Sequence, residues 1–365
     1  MSQLKTINLF CVDTVGGGGT EVWIRGLVKS LSRSYSVRLI SCTLDQDLIR
    51  YVSNFIRIRA PLKPAFLRVI FFSIRSSFVP TNKKDFVHVI GASSFKKSDL
   101  NTIHFYHRQN FRLRKSSIYK HSSITKIINR TIYTILCAIM EKIIYSQIFS
   151  KKLASVSPEM CDLLEQDFCR LVNLTHNGVD PDELGKIVSR DKEIYLLFVG
   201  GDWERKGLFE VFNALERIRN IYPSLVLKVA GSGSRKKFDK FIDKANLYKN
   251  IEWLGKLPRN QIPYSEYSIV ICASNFEVSP LVFLEAAMSG APVISFPTFG
   301  TLEAVADGYL RICEPTVEAL VEEITTLLSM PQLRANMSAS GRLLKEKRNW
   351  EIMIRETLAF YPDNS

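Results

Sequence analysis

In the stretch Asn275-Phe-Glu-Val-Ser-Pro-Leu-Val-Phe-Leu-Glu-Ala-Ala-Met-Ser-Gly-Ala-Pro-Val-Ile294, two carboxylates stand eight residues apart in an otherwise apolar run. Ser279-Pro280 reads as an N-cap followed by proline at the first helical position, which predicts a helix over 280–289. The apolar runs 269–272 and 292–295 on either side read as buried strands. Glu277 then lies in the loop ahead of the helix and Glu285 inside it. A helical carboxylate between Leu284 and Ala286 is expensive to bury without hydrogen-bond donors, so a hydroxyl-rich ligand is the partner expected for it.

The same alternation extends in both directions. Towards the N-terminus, strands at 194–199, 225–230 and 251–254 alternate with helices at 207–220 and 236–245; a further helix is expected at 316–328. Asn177-Gly-Val-Asp-Pro181 is turn chemistry and marks a domain boundary. Before it, 7–12 reads as a strand, 20–32 as an amphipathic helix, 36–42 as a strand, 124–149 as one long helix and 152–156 as a strand. Residues 57–130 look irregular. Two sequential βα series predict two doubly wound, Rossmann-like α/β domains with ligands in the cleft between them. The domains are placed at 1–178 and 179–349, with the 350–365 segment a helix crossing back onto the first.

Three glycine-rich turns follow strands. Gly16-Gly-Gly-Gly-Thr-Glu21 lets a ligand approach the backbone ahead of a helix, where amide donors favour an anion. It lacks the third glycine of a dinucleotide fingerprint and the Gly-Lys-Ser/Thr of a Walker loop. Phe198-Val-Gly-Gly-Asp-Trp-Glu-Arg-Lys-Gly207 places Arg205 and Lys206 at a strand's carboxyl end, a fork and a point charge suited to a diphosphate. Val229-Ala-Gly-Ser-Gly-Ser-Arg-Lys-Lys237 reads as a pocket wall or as a structural turn.

The spacing Glu277-x7-Glu285 followed by Ala286-Ala-Met-Ser-Gly-Ala-Pro-Val resembles the signature of the retaining glycosyltransferases of GT-B architecture, family 4, also described as glycosyl transferases group 1. The N-terminal glycine loop, Asn177-Gly-Val-Asp180, Arg205-Lys206-Gly207 and Gly300-Thr-Leu-Glu303 with Asp307-Gly308 resemble further elements of that family in the same order. The resemblance implies that Glu277 contacts the donor sugar, Glu285 holds the ribose, and Arg205 and Lys206 neutralise the diphosphate. Gly17 and Gly18 give the diphosphate room, and Pro280 and Leu281 open the helix beside it. It also implies an active-site histidine within Ile103-His-Phe-Tyr-His-Arg108; His107 is preferred over His104. The chain departs from the family pattern at Gly201, where many members have arginine, and at Pro280, where many have glycine. No cofactor or metal is implied, since cations and helix dipoles can stabilise the departing diphosphate.

The activity expected is transfer of a sugar from a nucleotide-diphosphate donor to a lipid-linked or polysaccharide acceptor, with front-side attack. A nucleotide-sugar epimerase or phosphorylase on the same fold, or a degenerate membrane-surface binding protein, are the rival readings.

Charge and composition locate the acceptor side. Of 365 residues 46% are hydrophobic, and the formal charge is +13. Residues 1–180 hold 26 Lys+Arg and 12 Asp+Glu, whereas 181–365 hold 23 and 24. The basic half has no nucleic-acid motif. Its segments 57–75 and 108–130 interleave cations with large apolar side chains, a pattern suited to an anionic membrane surface. The run 131–149 is interrupted by Glu141 and Lys142 and falls short of the ~20 residues of a spanning helix. No signal peptide is expected, and seven scattered cysteines without C-x-x-C read as reduced thiols. A cytoplasmic enzyme, peripheral on the inner face of the membrane, follows.

Overall fold

The computed structural model describes residues 5–113, 124–185 and 193–362. Their backbone divides into two compact units: one holds the described residues up to 177 together with those from 350 onward, the other 178–349. Each is built on a parallel sheet whose strands are joined by α-helices, 3-10 turns or loops.

In the first unit the strands are β1 (Thr6–Phe10), β2 (Ser36–Ser41), β3 (Asn54–Arg57), β4 (Phe86–Ile90), β5 (Ser98–Ile103), β6 (Ser150–Ser155) and β7 (Val172–Leu174), ordered β3-β2-β1-β4-β5-β6-β7. All are parallel, so their central residues are buried on both faces. Ile7, Leu9, Leu39 and Leu100 are fully buried, and the helix Gly19–Leu31 seats Trp23, Ile24 and Leu27 against them. The C-terminal helix Trp350–Leu358 lies on the same unit. Its Trp350 ring covers Gly26, where a Cβ would lie only 3.0 Å from the indole. A glycine in mid-helix is explained by that approach.

The stretch 57–130 is more regular than its sequence suggests. It contains the helix Ala65–Ser77 and strands β4 and β5. Both strands carry buried polar side chains that disguise them. His88 in β4 bonds Tyr361 Oη (2.5 Å) through Nδ1 and Thr102 Oγ1 (2.8 Å) through Nε2, and Asn101 in β5 donates to the Gly91 carbonyl at 3.1 Å. Burial pushes the pKa of His88 down to about 3, so the ring is neutral. The long helix ends at Ile144 rather than 149, and residues 114–123 of the segment 108–130 lie outside the described residues.

In the second unit β8 (Tyr195–Val199), β9 (Leu227–Ala230), β10 (Ile251–Gly255), β11 (Ser268–Cys272), β12 (Val293–Ser295) and β13 (Leu310–Ile312) are ordered β10-β9-β8-β11-β12-β13. The core gathers Phe198, Phe212, Leu215, Phe238, Ile271 and Ile324. The order reverses between β8 and β11. There the crossovers leave to opposite sides, and a crevice opens beyond the strands' carboxyl ends. These two fold-defining strand exits carry the Arg205 and Glu277 loops.

Candidate functional site

The Gly200–Gly207 turn begins where β8 ends. Trp203 donates its indole N–H to the Gly200 carbonyl at 2.9 Å and lies against Gly233, where a Cβ would sit 2.3 Å from the ring. The third glycine turn is therefore a packing device for Trp203. Gly207 has φ +77°, and a Cβ there would stand 2.0 Å from the Ala273 carbonyl oxygen. Only glycine permits both the backbone conformation and the close passage of the β11 exit. The backbone bond Asn275 N–H to Arg205 O (3.1 Å) ties the two loops together.

That bond brings the predicted residues into contact. Arg205 Nη1 donates to Glu277 Oε1 at 2.9 Å and to the Phe276 carbonyl at 2.7 Å, and its Nε donates to Asp202 at 3.1 Å. Lys206 Nζ lies 3.3 Å from the same Glu277 oxygen, and Ser274 Oγ donates to it at 3.3 Å. Burial works against the Glu277 charge, but Lys206 and Arg205 outweigh it and hold the carboxyl below its ordinary pKa. The group is an anion paired to two cations.

The helix after Glu277 runs Leu281–Met288, one residue later than predicted. Pro280 is the N-cap, with ψ 120°, not the first helical residue, so Ser279 stands one position ahead of the cap. Leu281 is buried at its first turn. Glu285 is 4% exposed, and protein donors meet it rather than leaving it bare. Tyr264 Oη donates to Oε2 at 2.9 Å and Arg259 Nη2 to Oε1 at 2.7 Å.

In the first unit the reversal of strand order falls between β1 and β4. The glycine loop leaves β1 there. A Cβ on Gly17 would meet nothing within 4 Å, so no protein atom explains glycine at that position. Gly18 is the N-cap of the following helix. Arg25 braces the loop by donating to the carbonyls of Thr14 (3.1 Å) and Gly16 (2.9 Å).

The two candidate histidines differ. His107 donates from Nδ1 to Glu141 Oε1 at 2.7 Å, while the backbone N–H groups of His107 and Arg108 bond the same fully buried carboxylate at 2.7 and 3.0 Å. Burial opposes a charge on this ring, yet hydrogen bonds with Cys137 and Glu141 lift its pKa to about 10. His107 is thus a protonated ring held by protein groups. His104 follows β5 directly, at the strand's carboxyl end. Its ring meets Trp23 edge-on at 4.5 Å, its Nε2 is buried with no hydrogen-bond partner, and burial pushes its pKa down to about 3.

Sequence reasoning missed Arg25, Glu141, Arg259 and Tyr264. None lies in a glycine-rich motif; Glu141 alone gave a signal, as an acid interrupting an apolar run. Among the described residues no three His, Cys, Asp or Glu side chains converge to hold a metal ion, and no helix is long and apolar enough to cross a membrane.

Two units, each a parallel α/β sheet, are the architecture of GT-B glycosyltransferases. Residues 180–344, most of the second unit, match the family glycosyl transferases group 1. It is 25% identical over 218 residues to glycogen synthase of Mycobacterium tuberculosis, covering 57% of this chain and 52% of that protein. The chain spans about half the length of the curated relatives it matches. Its backbone follows WaaG, a glycosyltransferase involved in lipopolysaccharide biosynthesis, with a TM-score of 0.80 at 15% identity over 98% of this chain and 100% of that one. Anabaena HepE in complex with UDP-glucose gives a TM-score of 0.67 at 15% identity, covering 97% and 99%.

Proposed function

We propose that the protein moves a sugar, with retention of configuration and without a metal, from a nucleotide-diphosphate donor to a lipid-linked or polysaccharide acceptor at the anionic cytoplasmic face of a membrane. One observation carries this reading: Glu277, Arg205 and Lys206 converge where strand order reverses between β8 and β11. A carboxylate can accept hydrogen bonds from sugar hydroxyls, while the two cations supply the charge a departing diphosphate needs. The bond from sugar carbon to diphosphate oxygen breaks with its electrons on the diphosphate. The acceptor oxygen bonds the same face of that carbon and passes its proton to the diphosphate. Arg205 and Lys206, freed from Glu277, would hold the leaving group. His104, neutral and with an unpartnered ring nitrogen, fits a contact with the donor sugar better than His107, whose Nδ1 is held by Glu141. The HepE complex with UDP-glucose and the lipopolysaccharide role of WaaG support the donor and acceptor classes.

The membrane part of the proposal rests on the first unit's surface. On the helix Ile124–Ile144, Ile128, Ile132, Ile135, Ile139 and Ile143 are exposed at spacings of 4, 3, 4 and 4, which puts them on one face. The helix Ala65–Ser77 packs beside it and exposes Phe71 and Ile74, with Phe78 just beyond at 81%. Within 57–75, Arg68 is not available to a lipid: its guanidinium grips Asp13 through Nε (2.9 Å) and Nη2 (2.5 Å). A thermal-shift panel of UDP-, GDP-, ADP- and dTDP-sugars tests the donor reading. At least one should raise Tm in a concentration-dependent way; no shift with any would favour the binding-protein reading.

A further inference from the structure

Glu285 is a buried carboxylate whose two oxygens are each engaged by one protein donor. Tyr264 Oη takes Oε2 and Arg259 Nη2 takes Oε1. Two donors on opposite oxygens stop the carboxylate from rotating. Each oxygen has a second lone pair, so two acceptor directions remain, side by side and fixed. Arg259 contributes something further. It also faces Glu183 at 3.8 Å through Nη1, and that nitrogen is buried with no hydrogen-bond partner. A buried donor with nothing to donate to is costly unless a ligand supplies an acceptor.

We infer that Tyr264 and Arg259 form a clamp that sets Glu285 to read a vicinal diol, which makes Tyr264 a specificity-positioning residue for the ribose of the donor. This rests on the reading of the donor as a nucleotide sugar. Each ribose hydroxyl both donates and accepts. The open lone pairs of Glu285 take the donated protons, and Arg259 Nη1, which makes no hydrogen bond in the protein, offers one in return. Tyr264 is itself buried, and burial together with the Glu285 charge holds its phenol well above the ordinary range for ionisation. It therefore stays a donor at working pH. Without its hydroxyl, Oε2 would swing free and the pair of acceptor directions would lose its fixed spacing.

The test measures binding of UDP, GDP and ADP beside their 2′-deoxy forms by calorimetry, together with donor KM and kcat, for wild type, Tyr264→Phe and Arg259→Lys. Wild type should prefer the ribonucleotide by about 10- to 100-fold, since a site built for a hydroxyl rejects the analogue lacking it. Tyr264→Phe should cut that preference at least fivefold and raise KM about tenfold, with kcat within twofold. Arg259→Lys keeps the charge, loses the fork, and should act in the same direction. Folded variants that keep the wild-type ribose preference and KM overturn the clamp. A wild type that binds UDP yet shows no ribose preference does so too. A wild type that binds none of the nucleotides overturns the donor reading and the clamp with it.

Discussion

Replacing Glu277 with glutamine keeps the side chain's shape and removes its charge. In the folded protein that charge holds Arg205 at 2.9 Å and Lys206 at 3.3 Å. At an effective dielectric of about 20, each such pair is worth about 5 kcal/mol before desolvation. Charge-assisted bonds typically retain about 1.5–3 kcal/mol net. Losing about 2 kcal/mol lowers Tm by roughly 4–8 °C in a unit of this size. Activity and binding should then part company. Transfer should fall by about 100-fold or more, because the sugar loses the acceptor that orients it. Affinity for the free nucleoside diphosphate should hold or rise by up to about tenfold, because the two cations no longer have a competing carboxylate. Steady-state transfer assays and calorimetry with the free nucleoside diphosphate measure the two separately. Transfer at the wild-type rate, or nucleoside diphosphate affinity reduced tenfold, would refute the reasoning.

Further outcomes follow from the same geometry. His107→Ala strips a partner from the fully buried Glu141 and should destabilise the fold by about 3 kcal/mol, whereas His104→Ala should leave Tm nearly unchanged and lower kcat; thermal melts and kinetics on both variants decide between the histidines. The raised pKa of His107 means that its contribution to stability is complete below about pH 6.5 and is lost as pH rises through about 10, while that of Glu277, whose pKa is lowered, is present at neutral pH and lost as acid protonates it; urea midpoints across pH should show both slopes, the first absent in His107→Ala. Gly17→Ala adds a Cβ that meets no protein atom within 4 Å and should melt like wild type while lowering transfer, but Gly207→Ala forces a Cβ to 2.0 Å from a carbonyl and should lower Tm sharply. Ile128→Glu with Ile139→Glu, both on the exposed stripe, should abolish co-sedimentation with anionic vesicles without lowering Tm; wild-type binding indifferent to anionic lipid and salt would refute the membrane reading.

The architecture was legible where strands are uniformly apolar. Leu196, Leu197 and Phe198, or Ile269, Val270 and Ile271, can only be core, and each run ends in the turn that carries chemistry. The strands β4 and β5 were hidden because His88 and Asn101 break their apolar runs. His88 is satisfied by Tyr361, 273 residues away, and no local pattern announces such a partner. The site divides the same way. Arg205, Lys206 and Glu277, which the structure brings into contact, could be picked out because each sits beside a strand exit. Tyr264 and Arg259 were missed because their only mark is a contact with Glu285, made by folding. The buried carboxylate was anticipated, but its partners were expected from a ligand alone. The +13 charge takes a narrower meaning as well: Arg68 is bound to Asp13, which leaves Arg57, Arg59, Lys63 and Arg75 as the exposed cations of that segment.

The central claim is tested most directly by NMR of the anomeric centre during turnover, with a nucleotide-diphosphate sugar that raises Tm and a lipid-linked acceptor. The account predicts acceptor-dependent release of nucleoside diphosphate, a product with the donor's anomeric configuration, and loss of both in Glu277→Gln. An inverted product, or conversion of the donor sugar with no acceptor present, would contradict it.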